Sequence, residues 1–162
     1  LLFLYLCCMK WAIIKENWNT TKHKFQVMRF MLKVCFKLLK RAWVHDFSKY
    51  TKHEAPYFAV AQDTKNVVYG SDEYKKDVEI NLKDALEHHY KHNTHHPQHF
   101  KNGVKEMQPL DTIEMLCDWK ASTLRYKGGN IKESLSANVK RFGYSEQEKE
   151  NFEKFYCEIK AW

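Results

Sequence analysis

Glycine and proline together fill only 8 of the 162 positions, against a usual share of roughly 12% of residues. Sandwiches, barrels and other turn-rich folds need those residues at every reversal of the chain. A chain this poor in them is confined to long elements with few connections, which means helices. The apolar fraction of 44% and charged fraction of 29% are those of a chain that buries a core, so disorder is excluded on the same count.

The segment from about Thr20 to Trp43 follows a helical period. Lys22, Gln26, Arg29, Lys33, Lys37 and Lys40 recur every three or four residues as one polar stripe, and most other positions are apolar. So narrow a stripe predicts a largely buried helix, with His23 pointing inward beside Val27 and Phe30. Thr51 with Glu54, Asp111 with Glu114, and Ser145 with Glu148 each spell a helix-start capping box. The second opens a helix through about Tyr126, stopped at Gly128–Gly129. The third opens one through about Ile159. Ser71 starts another, running to about His92 and ended by the Asn-Thr-His-His-Pro loop. Val67–Val68–Tyr69 is the one weak strand signal. The expected fold is all-α, a single compact helical bundle of about five to seven helices. Residues 1–18 read as an N-terminal extension or first helix, and 19–162 as the domain.

Five cysteines with no CxxC pair indicate neither a disulfide framework nor a zinc ribbon. Cys35, Cys117 and Cys157 read as small core residues, a usage that suits a reducing cytoplasm. The apolar opening LLFLYLCC is interrupted by Lys10, well short of the ~20 residues a membrane span needs. The net charge of +7 suggests an anionic partner without naming it.

Six of the nine histidines fall between residues 88 and 99. Within that run His89 continues the stripe of Val78, Leu82 and Leu86 and faces the core. His88 and His92 share another, solvated face, and His95 and His96 lie in the loop beyond. Elsewhere, His45–Asp46 joins an imidazole to a carboxylate, which together suit a divalent metal; equally, the pair could cap the adjoining helix ends. Asp118 shares a face with Glu114, Ser122 and Arg125. That face is either a wet polar stripe or one wall of a cavity, and periodicity leaves both open.

In chain order these residues read His23, His45–Asp46, His89, His95 or His96, Asp118. The order resembles the HD-domain superfamily of metal-dependent phosphohydrolases, whose pattern is H…HD…D with two further histidines in dinuclear members. More closely, the chain is similar to an uncharacterised family found in bacteria and their phages. The matching stretches are HKFQV (23–27), HDFSKYTKHE (45–54), HHYKHNTHHPQHF (88–100), EMLCDWKAS (114–122) and NVKRFGYSEQ (138–147). The resemblance implies that His23, His45, Asp46 and Asp118 hold a first metal. It implies that His89 with His95 or His96 holds a second, although this pair is more closely spaced than in most dinuclear members. Lys49 falls where one subgroup has a phosphate-facing lysine, with Ser48 in place of its glycine, and Glu54 is an acid–base candidate.

The chemistry expected is hydrolysis of a nucleotide or other small phosphate ester. One or two divalent ions (Mn, Fe, Zn, Mg, Co or Ni) would activate water, Lys49 and Arg125 would offset charge on phosphoryl oxygens, and His96, if not a ligand, would protonate the leaving alkoxide. Two other readings use the same sequence: a di-iron oxygenase on the same ligands, or a non-catalytic basic module binding nucleic acid or a partner protein through Lys22, Arg29, Lys33, Lys37 and Lys40.

Overall fold

The structure is a computed structural model that describes residues 2–61, 82–125 and 128–160. All regular elements among the described residues are helical, so the all-α expectation holds. The six α-helices among the described residues are α1 (Leu2–Val44), α2 (Ala55–Ala61), α3 (Lys83–His92), α4 (Pro109–Thr123), α5 (Ile131–Phe142) and α6 (Glu146–Glu158). Short 3₁₀ turns cover Phe47–Tyr50, Pro97–His99 and Gly103–Glu106. The weak strand signal at 67–69 and the Ser71 helix start lie outside the described residues.

The chain divides into two compact units, Leu1–Trp43 and Val44–Trp162. The first is a single helix. No glycine or proline precedes Pro56, so nothing breaks α1 over 43 residues, a span of about 65 Å at 1.5 Å per residue. The polar run around Thr20 resembles a start, yet Thr21 Oγ1 donates to the Asn17 carbonyl one turn back at 2.8 Å, inside the continuing helix. A lone helix has no interior, which corrects the burial expected for this segment: Phe25, Phe30, Met31 and Phe36 are all more than 60% exposed. His23 is exposed with them. The inward direction inferred from its neighbours required packing partners, and none covers it among the described residues.

In the second unit, α4, α5 and α6 build the core. Met115, Leu116 and Trp119 pack with Ile131, Leu135, Val139, Phe152 and Tyr156. The Tyr156 hydroxyl satisfies itself by donating to the Leu116 carbonyl at 2.8 Å. The helix ends follow local chemistry. Ser145 and Glu148 form the expected capping box of α6. The Asn130 side chain accepts from the Lys132 N–H to open α5, which closes on Gly143 at φ 71°, a conformation glycine adopts without cost. For α4 the box forms three residues earlier than expected, between Gln108 and Asp111 with Pro109 in the first turn. Glu114 is thereby freed for another task. α4 ends at Thr123. Cys35, Cys117 and Cys157 are exposed, not core residues; α1 buries nothing around Cys35, and Cys117 and Cys157 lie on helix faces turned from the core.

Candidate metal centre

Asp46, two residues beyond α1 and at the head of the Phe47–Tyr50 turn, adopts the left-handed conformation, φ 55° and ψ 22°. A non-glycine residue there carries backbone strain of about 1–3 kcal/mol, a cost that concentrates at functional sites. The turn points its carboxylate back across the second unit. Asp46 Oδ1 lies 3.3 Å from His89 Nε2 and 3.4 Å from His95 Nε2, and Oδ2 lies 3.4 Å from His45 Nε2. His89 Nε2 and His96 Nε2 are 2.9 Å apart. Asp118 Oδ1 stands 3.7 Å from His45 Nε2.

Two overlapping groups of donor atoms result: Asp46, His89, His95 and His96 in one, and His45, His95 and Asp118 in the other. Within each group, the atoms lie within 4.8 Å of one another. Metal–nitrogen and metal–oxygen bonds of roughly 2.0–2.2 Å at tetrahedral or octahedral angles separate neighbouring ligand atoms by about 3.0–3.4 Å. Most of the separations above match that edge length. Two atoms supply a sharper test. Asp46 Oδ1 and His95 Nε2 are buried and have no hydrogen-bond partner, a costly state unless a cation satisfies them. The donor set fits a divalent metal ion.

The ring orientations come from carboxylates behind the histidines. His45 Nδ1 donates to Glu114 Oε1 at 2.8 Å, and His95 Nδ1 shares that oxygen at 3.1 Å. His89 Nδ1 donates to Glu54 Oε2 at 2.9 Å. With Nδ1–H spent on a carboxylate, each Nε2 presents its lone pair inward, the arrangement of carboxylate–histidine–metal triads. Glu54 is 0% exposed, and its other oxygen accepts from His88 Nδ1 at 2.7 Å. Its place is behind His89, where it orients that ring, whereas the sequence suggested acid–base work. His88, expected to be solvated, is its second partner. Glu114 escaped the sequence reading; its only signal there was a place on the Asp118 face.

Secondary contacts hold the loops that carry the ligands. Asn93 Nδ2 donates to the His89 carbonyl and to Ser48 Oγ, both at 2.8 Å. Thr94 Oγ1 donates to Asp111 Oδ1 at 2.6 Å, which ties the His95–His96 loop to the start of α4. Lys49 Nζ sits 2.5 Å from Asp46 Oδ2, so its charge is committed to the ligand carboxylate. Arg125 is exposed just past the end of α4. A cavity of about 360 Å³ opens on the cluster, with Lys49, Tyr90, Ser122 and Arg125 in its lining.

The electrostatics follow from this packing. The Asp118 and Glu114 carboxylates lift His45 to about 10. Burial opposes charge on His95, but the adjacent Asp46 and Glu114 carboxylates outweigh it and raise its pKa. Burial likewise works against the Asp46 carboxylate, yet His89, His95 and Lys49 hold it far below the usual range. His96 is pushed down to about 3 by burial and then by the neighbouring His95 and His89. The imidazole is thus held neutral with its Nε2 2.9 Å from His89 Nε2, the form that can bind a metal ion and a poor general acid.

The structure thus brings together His45, Asp46, His89, His95, His96 and Asp118 in the second unit, while His23 lies in the first. The class defined is an all-α protein with a His/Asp cluster of metal-ligand geometry. Residues 13–161 match the model of a family of unknown function, DUF5662, and the chain belongs to that family. No curated protein and no solved structure matches it. No helix among the described residues is long and apolar enough to cross a membrane.

Proposed function

We propose that the protein is a metal-dependent phosphohydrolase acting on a nucleotide or other small phosphate ester. The observation that carries the metal is the pair of buried, unpartnered atoms Asp46 Oδ1 and His95 Nε2, set among further donors at coordination-edge distances. His45, Asp46, His89, His95, His96 and Asp118 would hold one or two divalent ions. When bound, such an ion supplies Lewis acidity toward a phosphoryl oxygen and lowers the pKa of a water to near neutrality.

The remaining work falls to the chain. Glu54 and Glu114 fix the tautomers of His89, His95 and His45. Lys49 offsets the anionic excess of the cluster through Asp46 and lies over the Phe58 ring at 5.4 Å, which keeps its ammonium in place. Arg125 and Ser122, on the cavity lining, are the groups with chemistry suited to a phosphoryl oxygen, one as a charged fork and one as a hydroxyl donor.

A phosphate-release screen over nucleotides and simple phosphate esters, with Mn, Mg, Co or Ni supplied in turn, tests the reading. The expected result is metal-dependent release that His95→Ala abolishes. Absence of release under every condition would overturn it, and retained iron with oxygen consumption would replace it with the oxygenase reading.

A further inference from the structure

A second cavity of about 500 Å³ adjoins the first and shares Tyr90, His96, Asp118, Ser122 and Arg125 with it. Its size is that of a small-molecule site, for which ~300–1,000 Å³ is usual. α5 forms one wall. Ile131, Leu135 and Val139 of that helix face the core, whereas Ser134, Asn138 and Arg141, at helical spacing, line the cavity. The Trp119 and Phe142 rings also line it, stacked within 8° of parallel at a centroid distance of 6.1 Å.

We infer that this groove is the subsite for the leaving alcohol, and that the alcohol is an uncharged cyclic polyol; the inference rests on the phosphohydrolase reading above. Three observations carry it. The groove is continuous with the donor cluster through shared residues, so a phosphate at the cluster places its ester substituent here. Among the described residues, the charged groups of the lining, Arg125 and Arg141 against Asp118 and Glu133, cancel formally, which disfavours a second anionic group. Hydroxyls and amides both donate and accept, as Ser134 and Asn138 do, and the apolar faces of a ring pack on aromatic side chains. The Asn138 amide donates to Ser134 Oγ over 3.4 Å, a long bond that an incoming hydroxyl displaces at little cost. A nucleoside's ribose and a free sugar share this chemistry.

The test is a titration of the full chain, treated with chelator, followed by the side-chain amide signal of Asn138 and the indole signal of Trp119. The probes are methyl β-ribofuranoside, adenosine and inorganic phosphate. Both polyols shift these signals and phosphate does not; Asn138→Leu, and independently Ser134→Ala, weakens polyol binding, by about tenfold for the former. Markedly tighter binding of adenosine identifies a nucleotide ester, and equal binding a sugar phosphate. Signals unmoved by either polyol, or affinities unchanged in both variants, overturn the inference even if phosphate release is observed. Polyol binding in a chain that releases no phosphate with any metal overturns the hydrolase reading and leaves the groove as a polyol site.

Discussion

A single oxygen, Glu114 Oε1, receives both His45 Nδ1 and His95 Nδ1. Its loss therefore disorders two ligands at once. Glu114→Gln retains the shape but replaces the anionic acceptor; metal affinity is expected to fall about 10–100-fold, and the metal-free chain to melt lower at neutral pH, because Glu114 helps hold the His45 proton. Isothermal titration with Mn or Zn reads the first quantity and a thermal melt the second. The raised pKa values of His45 and His95 set the pH response. The His45 ring holds its second proton in the metal-free chain at neutral pH, and an ion must displace it. Binding should release protons, and affinity should climb with pH toward about 10, the value for His45. Titrations in buffers of different ionisation enthalpy count those protons. For folding, a raised imidazole stabilises the native state below its ordinary 6.5 and loses that contribution as pH rises through about 10. The chelated chain should thus melt at lower temperature as pH is raised across that window.

At this scale much of the site could be read from residue type and order. His45, Asp46, His89, His95 and Asp118 lie close together, the grouping their chain order suggested. The roles of Glu54 and Glu114 were not legible. A carboxylate that orients an imidazole looks in sequence like any other acidic residue, and only the approach of distant segments, 69 residues apart for Glu114 and His45, distinguishes it. His96 was ambiguous for a related reason: ligand and acid differ in burial, which spacing does not report.

Among the elements, α4 joins core to site. Met115, Leu116 and Trp119 face α5 and α6, while Glu114, Asp118 and Ser122 face the histidines. Periodicity showed both stripes without ranking them, since a helix packed on two sides satisfies each. Leu135→Ala, in the three-helix core at 0% exposure, should cost about 2–5 kcal/mol in chemical denaturation. Thr94→Val removes the bond from the His95–His96 loop to Asp111 without touching a ligand. It should lower metal affinity while costing about 1–3 kcal/mol of stability, since the bond is to the buried Asp111 carboxylate, and parallel titration and denaturation read both. The start of α4 was misplaced because Gln108 is an uncommon cap, and Asp111–Glu114 imitated a better one. α1 was foreseen as a helix, but its burial was not determined by pattern: apolar residues on most faces fit a buried helix and equally one that forms a unit alone.

For the whole molecule, scarcity of glycine and proline restricted the chain to helices, and the described residues follow that restriction. The charge of +7 fits an anionic substrate and selects none. Membership of a family of unknown function adds no activity, so the account stands on the donor cluster. Metal content by elemental analysis, for the purified wild-type chain and Asp46→Ala prepared alongside, tests it most directly. One to two equivalents of a divalent transition metal or Mg are expected in the wild type after reloading, with a large loss in the variant. A wild-type chain that retains no ion from any of these metals, or an Asp46→Ala chain that holds as much, would contradict it.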